Sequence, residues 1–198
     1  EKITMKKLSN LIGASILLAG ISSPTLAVED GATLFNTKGC AGCHGMGGMQ
    51  PPVPGYPKVG QQSKTYVLTQ LKDFKSGKRA NAQAATMQGM LATVSDEEME
   101  SLATYLAKMP ATDDTPTAEQ HPLYMNKTCI ACHGASGKTA AQDAYPRLVG
   151  QNESYLLTQM KDIKSGDRKN GHSIAMKNIM HIINDEEMAT IAKWLSEQ

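Results

Sequence analysis

Two copies of a cysteine–histidine motif are the part of this sequence best suited to chemistry. Residues 40–44 read CAGCH and residues 129–133 read CIACH, and a glycine follows each copy. The copies are 89 positions apart and use all four cysteines of the 198-residue chain. Each places two thiols and one imidazole within five residues, a combination that suits a metal ion or a covalently held cofactor.

Three kinds of site use such a cysteine pair. A zinc ribbon has its two pairs about 15–20 residues apart, whereas here a whole repeat separates them. A thioredoxin-like redox pair belongs in a strand–helix context, and neither motif has one. Covalent attachment of a c-type haem is the specific meaning of C-x-x-C-H, because thiols three residues apart can reach both vinyl groups of one porphyrin while the histidine offers a ring nitrogen to the iron. We therefore predict two haems c, attached to Cys40, Cys43, Cys129 and Cys132, with His44 and His133 as iron ligands.

The sequence downstream of each motif is duplicated at the same interval. Residues 66–81 (YVLTQLKDFKSGKRAN) match residues 155–170 (YLLTQMKDIKSGDRKN). Residues 95–109 (SDEEMESLATYLAKM) match residues 184–198 (NDEEMATIAKWLSEQ). A repeat of this kind indicates a tandem duplication in which each copy is one structural unit.

The duplication predicts two domains, residues 28–109 and 118–198. Between them, residues 110–117 (PATDDTPT) are rich in proline, threonine and aspartate, which favours a short exposed linker. The register is expected to slip by one residue where Gly60-Gln61 is matched with Gly150-Gln151.

Both halves have helical periodicity and contain no convincing strand, so we predict an all-α fold. A capping-box pattern starts the last helix at Ser95 and again at Asn184. Apolar residues then recur at helical spacing, as in Leu102, Tyr105 and Leu106. The other predicted helices are Gly31–Ala41, Ser63–Ser76, Ala118–Ala131 and Glu153–Ser165.

The second axial ligand of each iron is sought among twelve methionines, most of which are expected to fill the core. If both halves bind haem alike, this ligand recurs at the 89-residue interval. Met87 and Met176 meet that condition, and we predict them as the ligands. Met99 and Met188 also match, but they lie inside the last helix and are assigned to packing.

Three further pairs of residues recur beside the predicted haems: Pro57 and Pro146, Arg79 and Arg168, Tyr66 and Tyr155. The prolines can present a backbone carbonyl to the axial histidine or serve only as turn residues. The arginines can pair with haem propionates or be solvated cations at helix ends. The tyrosines can reach propionates or simply pack. His172 and His181 have no histidine partner in the first half and are expected in loops facing solvent.

The N-terminal segment resembles an export signal. Met5-Lys6-Lys7 supplies positive charge, residues 11–21 are apolar, and small residues precede a cleavage point after Ala27. We predict a removed signal peptide over residues 1–27 and a periplasmic protein, or a membrane-associated one if the segment is not cut. The apolar run is short for a span, which needs about 20 residues. The net charge of +1 gives no reason to expect a nucleic-acid partner.

Taken together, each half resembles a class I cytochrome c. The matching features are a first helix with an aromatic residue (Phe35, Tyr124), the CxxCH motif, a downstream methionine and a last helix with an aromatic residue (Tyr105, Trp194). The tandem form, with GQ followed by Y-[VL]-L-T-Q-[LM]-K-D-[FI]-K-S-G-x-R-x-N, looks like the dihaem cytochrome c4 family. This resemblance implies two tandem class I cytochrome c domains related by pseudo-twofold symmetry, each wrapped around one covalent haem with histidine and methionine ligands.

The same resemblance implies a function. The chain would be a periplasmic one-electron carrier that docks transiently with membrane respiratory complexes, a quinol-oxidising cytochrome bc complex as donor and a haem–copper terminal oxidase as acceptor. No small-molecule substrate would bind at iron, so the chain would not be an enzyme. The alternatives are a dihaem enzyme of the peroxidase or thiosulfate-oxidising type, which needs an open iron site, and a fixed cytochrome subunit of a larger complex.

Overall fold

A computed structural model of the protein describes residues 28–110 and 120–198. These residues form ten α-helices and a short 3₁₀ turn with no strand among them, as the all-α prediction requires. The first domain contains α1 (Gly31–Thr37), α2 (Cys40–His44), α3 (Lys64–Lys75), α4 (Ala84–Leu91) and α5 (Asp96–Ala107). The second contains α6 (Pro122–Asn126), α7 (Ile130–His133), α8 (Glu153–Ser165), α9 (Ser173–Met180) and α10 (Asp185–Ser196).

Two of the sequence predictions fall on other parts of the chain. The signal segment 1–27 and all of the expected linker 110–117 except Pro110 lie outside the described residues. Across the two described stretches, each helix is too short or too polar to cross a membrane.

The last helix of each domain starts with the predicted capping box. The Ser95 hydroxyl accepts from the Glu98 N–H at 3.2 Å, and the Glu98 carboxylate accepts from the Ser95 N–H at 2.7 Å. Asn184 and Glu187 exchange the same two bonds at 2.9 and 3.0 Å. These bonds satisfy backbone N–H groups that have no partner within the helix. The negative side chains of the first turn also interact favourably with the positive end of the helix dipole.

The sequence analysis predicted one helix at the start of each domain, and this prediction is wrong because the structure has two separate helices there. Gly39 has φ of +77°, in the left-handed region, and separates α1 from α2. Thr128, at the equivalent position of the second domain, has φ of +62° and separates α6 from α7. The break places each cysteine–histidine motif on a short helix of its own.

Two short helices escaped the sequence prediction. They are α4 and α9, eight residues each, and they carry Met87 and Met176. In the structure α4 packs against α3, and α9 packs against α8.

The core of each domain lies between its first and last helices. The rings of Phe35 and Tyr105 are 5.8 Å apart, and those of Tyr124 and Trp194 are 5.0 Å apart. Met99 and Met188 are 1% and 0% exposed in the two cores, so their assignment to packing is confirmed.

The two domains meet through reciprocal hydrogen bonds. Asn81 donates its side-chain amide to Asp162 at 2.7 Å, and Asn170 donates to Asp73 at the same distance. Residues 89 positions apart thus exchange roles across the interface, which is the mark of an isologous, twofold-related contact. The pseudo-twofold arrangement predicted from the sequence is therefore present.

The predicted one-residue slip near the GQ dipeptides is wrong. Gln61 has φ of +63° and Gly150 has φ of +69°, so these two residues hold the same left-handed position at the unbroken 89-residue interval. Gln62 and Gln151 are the structural equivalents, 8% and 6% exposed. Matching the two GQ dipeptides suggests a slip because Gly60 is one position away from alignment with Gly150. The left-handed position is usually a glycine, but the first domain has Gln61 there.

Candidate haem sites

A continuous cavity of about 570 Å³ runs through both domains and across their interface. It is lined by both cysteines and the histidine of each motif, and by Met87 and Met176. Protein interiors are packed as tightly as organic crystals, with few voids larger than a water molecule. Two domains of this size with a shared, largely apolar cavity therefore fit large apolar groups bound inside them.

Each motif histidine is buried and held by one hydrogen bond. Nδ1 of His44 lies 2.9 Å from the carbonyl oxygen of Pro57, and Nδ1 of His133 lies 3.0 Å from that of Pro146. A carbonyl oxygen can only accept, so Nδ1 carries the proton in both rings. Nε2 then has its lone pair available, which is the tautomer that a metal-binding imidazole needs.

The surroundings also keep these imidazoles neutral. Burial lowers the pKa of His44, and the bond to Pro57 opposes it only in part. Burial lowers the pKa of His133 as well, and the positive charge of Arg168 acts in the same direction. A neutral ring with a free nitrogen is ready to bind iron at neutral pH.

The cysteines of each motif line the same cavity as its histidine. Within the described residues, none of the four is paired in a disulfide. Burial raises the pKa of Cys40, and it raises the pKa of Cys129 to about 11. Paired thiols facing an apolar cavity, beside a neutral imidazole, are the donor set that covalent haem attachment requires.

The predicted methionine ligands lie on α4 and α9, and each is half-buried against the core of its own domain. Met90, one turn further along α4, also lines the cavity but is 44% exposed. Its equivalent in α9 is Ile179, which has no sulfur.

Arg79 and Arg168 are 6% and 9% exposed, so the interpretation as solvated helix-end cations is wrong. Arg79 donates to Gln70 at 2.8 Å and to Gln159 at 2.8 Å, and Arg168 donates to Gln159 at 3.0 Å. Both guanidinium groups line the cavity. Over residues 28–110 and 120–198, neither has a carboxylate oxygen within ion-pair distance.

A buried charge is costly unless an opposite charge or several hydrogen bonds compensate it. Two buried guanidinium groups with neutral acceptors therefore fit the carboxylates that a haem carries. This fit supports the predicted pairing of the arginines with propionates.

Tyr66 and Tyr155 connect the domains. The hydroxyl of Tyr155 accepts from Nη2 of Arg79 at 3.0 Å, and that of Tyr66 accepts from Nη2 of Arg168 at 3.2 Å. Burial acts to raise the pKa of Tyr155, but the positive charges of Arg79 and Arg168 outweigh it and lower that pKa. Both tyrosines also line the cavity.

The sequence analysis missed several residues of this site. Gln70 and Gln159 recur inside the matched segments, and this recurrence was a signal that could have identified them. His172 is exposed, as expected, but it also lines the cavity, and its ring lies edge-on to Tyr145 with centroids 5.2 Å apart. Nothing in the repeat could have indicated this contact, because the first domain has Gln83 in place of His172.

Comparison with known proteins agrees with this geometry. The family model for cytochrome c matches residues 28–110 and again residues 121–198. Cytochrome c4 from Pseudomonas aeruginosa is 28% identical, and the match covers 95% of this chain and 98% of that protein. The chain belongs to the cytochrome c4 family. Like other cytochromes c4, it is a dihaem electron carrier with two covalently bound haem c groups, one in each domain.

Two more similarities refine this picture. The thiosulfate dehydrogenase electron acceptor of Stutzerimonas stutzeri is 30% identical, over 90% of this chain and 93% of that protein. The structure of cytochrome c4 from Acidithiobacillus ferrooxidans superposes with a TM-score of 0.66 and 26% identity, covering 80% of this chain and 98% of that one. The c4 fold thus accounts for the tandem helical domains of this cytochrome.

Proposed function

We propose that this cytochrome is a periplasmic one-electron carrier with two saturated iron sites, each held by a histidine and a methionine. The ligand pairs are His44 with Met87, and His133 with Met176. The observation that carries the proposal is the equivalence of the two pockets, in which two cysteines, one histidine and one methionine recur at the same interval around one cavity. Bound haem supplies the one-electron chemistry, Fe(III) to Fe(II) and back.

The chain's own residues prepare each site for that role. The carbonyls of Pro57 and Pro146 fix the histidine tautomer, and burial keeps the imidazoles neutral. Met87 and Met176 would supply the second ligand of each iron, and a thioether ligand would favour reduced iron and raise the potential. Because a histidine and a methionine would hold each iron, no position at iron would be left for a substrate, and the protein would transfer electrons without acting as an enzyme.

The donor and acceptor are proposed to be membrane respiratory complexes, a quinol-oxidising cytochrome bc complex and a haem–copper terminal oxidase. Their encounters with the cytochrome are short-lived, as is usual for redox partners. The apolar segment within residues 1–27 supports export to the periplasm.

The similarity to relatives suggests a second candidate for the electron donor. Because a thiosulfate dehydrogenase electron acceptor is 30% identical over 93% of its length, a thiosulfate-oxidising enzyme can supply the electrons instead. In this case the cytochrome remains a carrier, and only its partner changes.

A single experiment separates these functions. Oxidised dihaem protein is mixed in a stopped-flow instrument with a purified cytochrome bc complex plus quinol, or with a thiosulfate dehydrogenase plus thiosulfate. Fast reduction in the first mixture supports the respiratory carrier, and fast reduction only in the second supports the thiosulfate route. Turnover of peroxide or thiosulfate by the cytochrome alone would show that it is an enzyme.

A further inference from the structure

The histidine of each motif donates a hydrogen bond to the carbonyl of a peptide group. The N–H of the same peptide group donates a hydrogen bond to a glutamine of the other domain. The carbonyl of Pro57, which accepts from His44, belongs to the same amide as the N–H of Lys58. That N–H donates to Oε1 of Gln151, in the second domain, at 2.8 Å. The side-chain amide of Gln151 also donates to the Lys58 carbonyl at 2.8 Å, so it clasps the residue on both sides.

The second domain has the mirror arrangement. The amide between Pro146 and Arg147 accepts from His133 through its oxygen and donates through its N–H to Oε1 of Gln62, in the first domain, at 2.9 Å. Gln62 also donates to the Arg147 carbonyl at 2.9 Å. Both glutamines are more than nine-tenths buried, at 8% and 6% exposure.

A planar amide links its two hydrogen bonds electronically. When its N–H donates, the carbonyl oxygen gains negative charge and becomes a better acceptor, so the bonds strengthen one another. A better acceptor at Nδ1 makes the imidazole more electron-rich, and an electron-rich ligand favours the oxidised iron. The two-point clasp also fixes the orientation of the peptide plane to which the histidine donates.

We propose that Gln151 is a positioning residue for His44, and Gln62 for His133, so that each domain sets part of the haem potential of the other. This proposal rests on the axial role of the two histidines in the proposed function. The difference between the two haem potentials then depends on the contact between the domains, because both glutamine–peptide hydrogen-bond pairs cross the interface.

The test uses the complete dihaem protein and two mirrored substitutions, Gln151→Met and Gln62→Met. Methionine keeps nearly the same length and apolar volume but has no amide. Each haem's midpoint potential is followed by NMR during a redox titration. The haems are assigned from Met87→His and Met176→His, each of which alters one haem.

The expected result is a crossed pattern. Gln151→Met raises the potential of the first-domain haem more than that of the second-domain haem, and Gln62→Met does the reverse. The Nδ1–H of the affected histidine also exchanges faster with deuterated solvent. As a control, Ser154→Ala removes another cross-domain bond, from Ser154 to the carbonyl of Pro54, which is not connected to the Pro57–Lys58 amide. It leaves both potentials unchanged.

Three results would overturn the proposal: a larger shift in the potential of the haem in the glutamine's own domain, equal shifts of both haems, or no shift in a folded, docked variant. If a methionine variant does not fold, Gln151→Glu and Gln62→Glu replace the acceptor oxygen with a stronger, charged one. The crossed pattern is then required with the opposite sign, a fall in the potential of the other domain's haem that exceeds any change in the haem of the glutamate's own domain. If the spectra show that the histidines are not ligands, the proposed function fails too. An intact ligand set without the crossed pattern rejects the glutamine roles alone.

Discussion

Arg79 of the first domain and Tyr155 of the second are joined by a hydrogen bond of 3.0 Å from Nη2 to the phenolic oxygen. The same bond recurs in mirror image between Arg168 and Tyr66 at 3.2 Å. From the sequence, the arginines were candidates for propionate partners or for solvated cations, and the tyrosines for propionate contacts or for packing. Only the fold shows that each bond crosses between domains. The same residues therefore form the domain interface and line the haem cavity. Substitutions of them are expected to affect both domain docking and the haem potentials.

Arg79→Met is expected to destabilise the protein by about 2–3 kcal/mol, because it leaves the partly buried hydroxyl oxygen of Tyr155 without its charged donor and removes one of the donors to the buried Gln159. The neighbouring substitution Lys78→Met, at an exposed position, is the control and changes little. Denaturant unfolding of both variants measures the difference. Equal stability of the two variants would show that the buried guanidinium is not a structural element of the interface.

Met87→Ala and Met176→Ala are each expected to open one iron site. Each variant binds carbon monoxide at one of its two haems and has a lowered potential there, because the methionine that favours reduced iron is gone. Met90→Ala is the matched control, since Met90 lies on the same helix and lines the same cavity. Carbon monoxide binding by Met90→Ala, and not by Met87→Ala, would move the ligand assignment to Met90.

Gly31→Ala is expected to loosen the contact between α1 and α5. An added Cβ would meet Cβ of Tyr105 at 2.6 Å and overlap the carbonyl oxygen of Ser101. Crowding of this kind costs about 1–3 kcal/mol. Gly89→Ala, where the new methyl group meets nothing within 4 Å, serves as the control. Thermal unfolding of the two variants is compared, and an unchanged melting temperature for Gly31→Ala would contradict the packing described.

Acid is expected to weaken both capping boxes. The bond with Lys38 and then that with the Ser95 N–H lower the pKa of Glu98 below its ordinary value of 4.5. The bond with the Asn184 N–H and then that with Lys127 lower the pKa of Glu187 in the same way. A carboxylate with a depressed folded pKa contributes stability that is complete above its unfolded pKa and is lost as pH falls through the folded value.

The stability curve should therefore fall below about pH 4.5, and a Glu98→Gln/Glu187→Gln variant should fall less steeply there. Unfolding free energies measured from pH 6 to pH 3 decide this. Parallel curves for the two proteins would mean that these carboxylates do not contribute to the acid sensitivity.

The sequence was sufficient to predict the features that depend on local pattern. The CxxCH spacing, the repeat and the capping boxes at Ser95 and Asn184 depend on neighbouring residues, so they were predictable. The left-handed break before each motif was not, because Thr128 is an unusual residue for that conformation. The helix that carries Met87 has only eight residues and is stabilised by packing against α3, which no local pattern predicts.

Contacts between the domains could not be predicted in the same way. Gln62 and Gln151 are ordinary polar residues until the domains dock and bury them. The same holds for the arginines, whose alternative as surface cations was reasonable for a single helix end. Pairing between distant parts of the chain depends on tertiary structure, which no local pattern encodes.

Saturation of both irons by histidine and methionine distinguishes the proposed carrier from an enzyme. The most direct test is the optical spectrum of the oxidised and reduced dihaem protein, recorded with and without carbon monoxide. We expect the weak long-wavelength band of methionine bound to Fe(III) at full intensity for two haems, and no change on adding carbon monoxide to the reduced protein. A band of half that intensity, or ready binding of carbon monoxide, would contradict the double methionine assignment and favour the enzyme.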